Sequence, residues 1–352
     1  MKKQVKNLFR QLILAAMMLS CGCCLANNPP KQLRVFQLNI WQEGTIVPGG
    51  YEGIIEEIVD KDPDVVLLSE VRNYQGKDLV QRLLASLKAR GLTFYAESSH
   101  ASLDVAVLAK YPIEEQMPLY KPEEQIGAVL KTKIIVHGKP FLFYSVHLDY
   151  KDYACYLPRG YNGATWERMD HIISDVDEIM TANRKSMRDE AIRDIIADSN
   201  RESKEQTIII AGDFNEPSHL DWTKATQNMF DHNGAIVPWD CSVMLQEAKF
   251  IDAFRKQYPN PVSHPGFTFP AYNKDAEFKK LTWAPLADDR DRIDYIYYKP
   301  DKQVKLKDIK IVGPVETIRY GKIAPKDSKD IFLTPKSIWP TDHKGLLAIF
   351  SW

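Results

Sequence analysis

Cysteine is scarce. Five occur in 352 residues, and beyond residue 28 only Cys155 and Cys241 remain. That excludes a disulfide-dense scaffold and any zinc-type Cys spacing, and leaves either one Cys155–Cys241 bridge or two buried thiols. Histidine is also sparse. Its eight copies are scattered, so no His-rich zinc cluster forms at close spacing. Positive charge is in no excess, with 46 Lys and Arg against 47 Asp and Glu. This argues against a surface that wraps a polyanion. The apolar run Leu12–Leu19 is too short to span a bilayer as a helix. Repeats and low-complexity tracts are lacking. Glycine (17) is slightly outnumbered by proline (21), which favours a loop-rich chain over a helical bundle.

What is present begins with an export signal. Lys2, Lys3, Lys6 and Arg10 form a basic segment ahead of Leu12–Leu19. Cleavage reads in two ways. Cys24-Leu25-Ala26 suits ordinary signal peptidase, and Met18-Leu19-Ser20-Cys21 resembles a lipoprotein box that would lipidate Cys21 and attach the chain to a membrane. The expectation is an export segment over 1–28 and one domain over 29–352. The product would be periplasmic, extracellular or lipid-anchored at the cell envelope. Without the four basic residues the balance is 42 against 47, a net charge near −5.

Strand-like and helix-like segments alternate through the rest. Leu33–Ile40, Asp64–Ser69, Val105–Ala109, Ala128–Val136, Pro140–His147, Thr207–Ala211, Arg292–Tyr298 and Lys344–Phe350 read as strands. Tyr51–Asp60 and Leu79–Arg90 read as helices, as does a long charged stretch from Arg168 to about Ser199 with Ile172, Val176, Ile179 and Met180 on one face. Strands separated mostly by loops, with few helices, predict two sheets packed face to face with helices outside.

Polar residues with chemical capacity sit where the strands end. Glu70 closes DVVLLS, a place where an ionised acid needs a partner. Oxygen donors such as Glu70, Asp342 and an Asn carbonyl suit Mg²⁺, Mn²⁺ or Ca²⁺. Asp213 and Asn215 in GDFN lie two apart after an apolar strand, so both can face one pocket; an Asx-rich turn is the rival reading. His147 ends PFLFYSVH. Asp342-His343 precedes the last strand, and Asp294, an acid inside RIDYIYY, is the candidate to orient His343.

Asn39 in LNIW, Glu70 in LLSEV, His147 in SVHLD, Asp213 and Asn215 in GDFN, Asp294 in RIDYI and Asp342-His343 in TDH together resemble the endonuclease/exonuclease/phosphatase superfamily, from Leu33 to Trp352. LDVAVLAKYPI (Leu103–Ile113) is similar to a supporting segment of that family. The resemblance implies an α/β fold, a four-layer α/β/β/α sandwich of two mostly antiparallel sheets with outer helices. It implies a divalent-metal site at Asn39, Glu70 and Asp342, with Mg²⁺ or Mn²⁺ favoured and Ca²⁺ admitted. Asp213 would activate water, Asn215 and His147 would bind the phosphate, and Asp294 would hold His343.

One departure is Ser69, where the family often has Gln. The aromatic stretch Leu148–Trp166 reads as a substrate-facing loop, with Tyr153, Arg159, Tyr161 and Trp166 as substrate-binding candidates; a self-packed loop is the alternative. Arg188 is expected to pair with its helix neighbours, and His219 to be structural. The expected function is an exported, metal-dependent phosphoesterase acting on a small-molecule or lipid-head-group phosphate ester. A secreted nuclease acting on nucleic acid is the alternative, and a non-catalytic binding protein on the same fold the weaker one. A monomer with no protein partner is expected.

Overall fold

The computed structural model describes residues 31–97, 103–120, 126–202, 204–301 and 303–352. The stretch expected as an export segment, 1–28 with Cys21, lies outside the described residues. In chain order the strands are β1 Gln32–Asn39, β2 Val65–Val71, β3 Asp104–Ala109, β4 Ile113–Pro118, β5 Gly127–Val136, β6 Lys139–Leu148, β7 Thr207–Asp213, β8 Ile251–Asp252, β9 Asp294–Lys299, β10 Lys305–Val312, β11 Thr317–Arg319, β12 Lys322–Ala324, β13 Phe332–Leu333 and β14 Gly345–Ser351. The α-helices are α1 Gly50–Lys61, α2 Leu79–Ala89, α3 Val176–Asn183, α4 Arg188–Arg201, α5 Asp240–Glu247 and α6 Ala253–Gln257.

Two six-stranded sheets carry the unit Gln32–Trp352. One runs β13-β10-β14-β1-β2-β3 and the other β4-β5-β6-β7-β9-β8. Most neighbours are antiparallel; β1–β2, β10–β13 and β6–β7 are parallel.

The alternation along each strand sorts its side chains into two layers. Val35, Leu67, Val107, Ile311 and Ala348 of the first sheet meet Phe141, Phe143, Ile209, Ala211 and Ile296 of the second in one core between the sheets. Their neighbours face outward. Phe36, Leu38, Val66 and Leu68 pack under Ile54, Ile55 and Ile58 of α1 and Leu79 and Leu83 of α2. Leu142, Tyr144, Ile208 and Ile210 pack under Ala191, Ile192 and Ile195 of α4 and Leu245 of α5. Each fully buried aliphatic side chain contributes about 1.5–3 kcal/mol. Helix, sheet, sheet and helix thus stack in the expected four layers.

The stretch expected as one helix from Arg168 to about Ser199 is two. Asp175 caps α3 by accepting from Glu178 N, and the chain breaks before α4. Buried Arg188 enforces that break. It donates to the carbonyls of Asp149, Lys151 and Asp152 and to Asn183 Oδ1, rather than pairing with its helix neighbours. Ile172, expected on the buried face, precedes α3 and is 50% exposed. Cys155 and Cys241 are both free and buried, so no bridge joins them.

Candidate active site

Three adjacent strand ends set the site. His147 on β6 stands opposite Asp213 on β7, and Asp213 stands opposite Asp294 on β9. Asn39 and Ser69 are paired at the ends of β1 and β2 in the other sheet. Buried links tie the sheets here, among them Gln37 Nε2, which donates to Asp294 Oδ1 at 2.8 Å, and Ser69 Oγ, which donates to the Val146 carbonyl at 3.0 Å. Ser69, the departure from the usual Gln, therefore works as a cross-sheet bond.

Local backbone chemistry aims the side chains. The β2–β3 register shifts between Ser69 and Val71, and Glu70 sits in that bulge at φ 69°. A bulge re-aims one side chain out of the ladder. Gly212 has φ 151°, and a Cβ there would stand 1.9 Å from the Val146 carbonyl oxygen. Only glycine lets β7 lie that close to β6. Asn215, at φ 49°, donates its own N–H to Asp213 Oδ1 at 2.9 Å, so the Asx turn read from GDFN is real and the same turn brings Asn215 to the pocket.

Asp213 is the hub. Asn39 Nδ2 donates to Asp213 Oδ2 at 2.9 Å and to Glu70 Oε1 at 3.2 Å. The Nε2 atoms of His147 and His343 each lie 3.8 Å from Asp213 Oδ2. Behind each ring stands a second carboxylate. His343 Nδ1 is 2.9 Å from Asp294 Oδ2, and His147 Nδ1 is 2.6 Å from Asp104 Oδ2.

Charge follows from that packing. Burial works against both imidazoliums, but the carboxylates outweigh it: Asp104 leads in raising His147 to about 9, and Asp294 in raising His343 to about 10. Burial, reinforced by Asp294, raises Asp213 despite the two histidines. Burial also raises Asp342 to about 7, opposed by His343 and reinforced by Glu70 and Asp213. For Glu70 burial is outweighed by His147, Arg72 and His343, which hold it below the ordinary carboxylate range.

A pocket of about 590 Å³ opens over this cluster. Asp342 and His343 line it with Glu70, His147, Asp213 and Asn215. Its walls are largely aromatic: Trp41, Tyr150, Tyr153, Tyr156, Trp166, Phe269 and Trp283. Arg72 is the one Lys or Arg among the lining residues.

The four residues expected to read substrate fall in two places. Tyr153 and Trp166 line the pocket, while Arg159 and Tyr161 do not. Arg159 is buried against Asp291 and donates to the carbonyls of Phe230 and Arg290. Tyr161 is buried, and its hydroxyl accepts from Leu286 N at 3.0 Å. Both hold the loop in place, since a buried guanidinium needs a carboxylate partner. His219 bonds Ser242 and Gln246, a structural arrangement.

Sequence reasoning missed Asp104, Arg72 and Gln37. Asp104 was visible as the acid that opens the strand in LDVAVLAKYPI. Its φ of 64° and its His147 contact came only with the fold. Arg72 bridges Asp104 at 3.0 Å and Glu70 at 3.6 Å.

Two groups of side chains present themselves as cation ligands. Asp213, Asp294 and His343 bring ligand atoms within 4.8 Å of one another. There, however, the Asp294 oxygens are already taken by Gln37 and His343, so Asp294 orients the ring, whose Nε2 stands 3.8 Å from Asp213 Oδ2. Glu70 accepts one bond at each oxygen, from Asn39 Nδ2 at 3.2 Å and from Gln42 N at 2.9 Å, and Asp342 beside it in the pocket lining is less committed. Among the described residues the one side-chain hydrogen bond to the Asp342 carboxylate is a long one from Thr341 Oγ1 at 3.4 Å, and Glu70 and Asp213 add negative charge beside it. Surplus buried negative charge with oxygen donors fits a hard divalent cation. Asn39 was expected among the ligands. Its oxygen instead accepts Trp41 N at 2.9 Å while its nitrogen faces Glu70 and Asp213, so it orients those carboxylates.

The profile of the Endonuclease/Exonuclease/phosphatase family matches residues 36–343. An uncharacterized protein of Caenorhabditis elegans is 28% identical over 355 residues, covering 98% of this chain and 99% of its own length. Among solved structures, D. rerio TDP2 complexed with a single-strand DNA product is similar at a TM-score of 0.52 and 14% identity, over 91% of this chain and 98% of that one. A family protein from Leptotrichia buccalis C-1013-b is similar at 0.50 and 16% identity, over 90% and 98%. At such identities the structural likeness is one of fold.

Proposed function

The chain belongs to the endonuclease/exonuclease/phosphatase family, whose members are hydrolases of phosphate esters, and from that premise we propose that it is an exported, metal-dependent phosphoesterase acting on a small or lipid-linked phosphate ester. One observation carries the reading. Two histidines, each backed by its own aspartate, converge on a single oxygen of Asp213 beside Glu70 and Asp342.

In this reading Asp213 accepts a proton from the attacking water, a role suited to a buried carboxylate whose proton affinity is raised. His147 and His343 stay protonated and donate their Nε2–H groups to phosphate oxygens as charge develops. Asp104 and Asp294 fix the two rings through Nδ1. Asn215, in the pocket lining, donates one amide hydrogen to the Leu148 carbonyl at 3.0 Å and offers the other to the same phosphate. Glu70 and Asp342 would hold Mg²⁺ or Mn²⁺, which when bound neutralises phosphate charge and assists departure of the leaving oxygen.

The pocket wall favours the substrate class. Aromatic side chains and a single arginine suit a compact ester with an apolar or ring-bearing substituent more than a long polyanion. The nuclease reading is kept as the alternative because a structural relative was solved with single-strand DNA.

A substrate panel tests this. Bis-aryl phosphate and phospholipid head groups should be hydrolysed with Mg²⁺ and spared in EDTA. Turnover unchanged in EDTA would overturn the metal role, and plasmid DNA as the fastest substrate would select the nuclease.

A further inference from the structure

We infer that this protein docks on an anionic lipid surface through an exposed apolar patch beside the pocket mouth. The inference rests on the phosphoesterase reading only for its purpose, the delivery of a lipid-linked ester.

Two segments build the patch. The loop Lys274–Leu286 turns Leu281 fully inward, and the β11–β12 hairpin does the same with Ile318. Both pack with Trp41 and Val47 in a small core behind the pocket. The segments are joined directly: Tyr320 N donates to the Ala287 carbonyl at 2.8 Å, and Gly321 lies against the Pro285 carbonyl. Leu286 N is tied to Tyr161 Oη. On this anchored base Leu286 is 60% exposed, Trp283 49%, Ile323 49% and Tyr320 48%. Large exposed apolar side chains on two joined segments mark an interaction surface, and Tyr320 is held there by its hydroxyl, which donates to Asp231 Oδ1 at 2.9 Å.

The location and charge select the occupant. Trp283 lines the pocket and packs on Trp166 with ring centroids 5.1 Å apart, so the patch is continuous with the site. Lys274–Leu286 and Glu316–Asp327 hold six basic residues against four acidic ones, in a chain with one more acid than base. Glu277 neutralises part of this through Lys279 and Lys280, and Asp327 pairs Arg319. Lys322 on the hairpin and Lys326 just after it, whose ammonium stands over the Phe332 ring, have no carboxylate within salt-bridge reach among the described residues. A tryptophan, a tyrosine and aliphatics flanked by lysines match the boundary between acyl chains and anionic head groups. A second copy of the chain fits poorly, because a two-fold contact through this patch would set basic segments against each other.

The experiment uses the full chain in EDTA, which separates binding from turnover. It is sedimented with phosphatidylcholine vesicles with or without a third of phosphatidylglycerol. Binding is expected with the anionic vesicles and is expected to weaken as salt rises. Leu286→Ser with Ile323→Ser, and separately Lys322→Glu with Lys326→Glu, should each weaken it about tenfold. Hydrolysis of a water-soluble bis-aryl phosphate should stay within about twofold in both variants, since none of the four residues lines the pocket. No sedimentation of the parent protein, or equal binding by both variants, would overturn the inference. So would a dimer in analytical ultracentrifugation that the apolar variant dissociates. A parent protein that hydrolyses the aryl phosphate but never sediments rejects only docking; a parent that binds vesicles but hydrolyses no ester rejects the enzyme reading and leaves docking standing.

Discussion

His147 and His343 address the same atom: each Nε2 lies 3.8 Å from Asp213 Oδ2. Neither ring is free to turn, because Asp104 and Asp294 hold them at Nδ1. Replacing Asp213 by Asn, or either histidine by Ala, should lower kcat by about 10²-fold or more. The double histidine variant should lose less than the product of the single losses, because the residues share one partner. Steady-state kinetics with a melting curve for each variant checks this. Near-parent turnover in His343→Ala would remove it from the reaction.

The acid that sequence reasoning passed over makes the second test. Asp104 is the main group that raises His147 to about 9 against the cost of burial. A raised histidine keeps its charge below that value and loses it as pH rises through it. Activity that needs the imidazolium should therefore fall on the alkaline side near pH 9. In Asp104→Asn the fall should begin at lower pH, and NMR titration of His147 should move with it. An unmoved His147 titration would deny the pairing.

Much of the fold and site was legible because strands write themselves as short apolar runs, and the site hangs on their ends. Glu70, His147, Asp213 and Asp342 could be placed that way. What escaped depends on three dimensions. β10, Lys305–Val312, alternates lysine with apolar residues and pairs with β14 inside the sheet, yet its charge hid it. The break before α4 depends on carbonyls near residue 150 that Arg188 reaches across the fold. The tail EPSHLDW after GDFN had no chemical role in the sequence. In the structure Glu216 accepts from Asn183 and Cys241, Asp221 pairs Arg255 and Arg292, and Trp222 donates to Asp291. It is a buried connector, and no spacing rule announces such a part.

Glu70 and Asp342 crowd negative charge that a cation would relieve, so metal should stabilise the fold as well as support turnover. Mg²⁺ at about a hundred times its Kd should add about 2.7 kcal/mol. Differential scanning calorimetry should show a higher Tm with Mg²⁺ than in EDTA, and a smaller gain in Glu70→Gln. Equal gains would place the ion elsewhere.

Acid stability should depend on Asp301, far from the site. Burial opposes its charge, but Lys139, Thr207 and the N–H groups of Val304 and Gln303 bring it down to about 2. A depressed carboxylate contributes stability above its ordinary value of 3.8, and that contribution is lost as pH falls toward 2. Discounted for solvent screening, it is worth about 1 kcal/mol. Asp301→Asn should lower stability by that amount at neutral pH and match the parent in strong acid, by urea unfolding at both pH values.

Arg159 was expected to touch substrate, and its burial makes a different prediction. Its guanidinium pairs Asp291, whose other oxygen accepts Trp222 Nε1 at 3.1 Å. Asp291 also bridges by backbone to Phe269, which packs on His343 at 5.0 Å. The pair thus pins the aromatic loop to the strand that carries Asp294. Removing one partner leaves the other charge buried, at a cost of about 3–5 kcal/mol. Arg159→Met and Asp291→Leu should each destabilise by about that much, and together by clearly less than the sum. Because Arg159 stands behind the pocket wall, the surviving activity of Arg159→Met should show a raised KM with a smaller change in kcat. Additive losses of stability in the cycle would mean the two charges are not paired, and a kcat loss as large as that of His343→Ala would return Arg159 to the reacting phosphate.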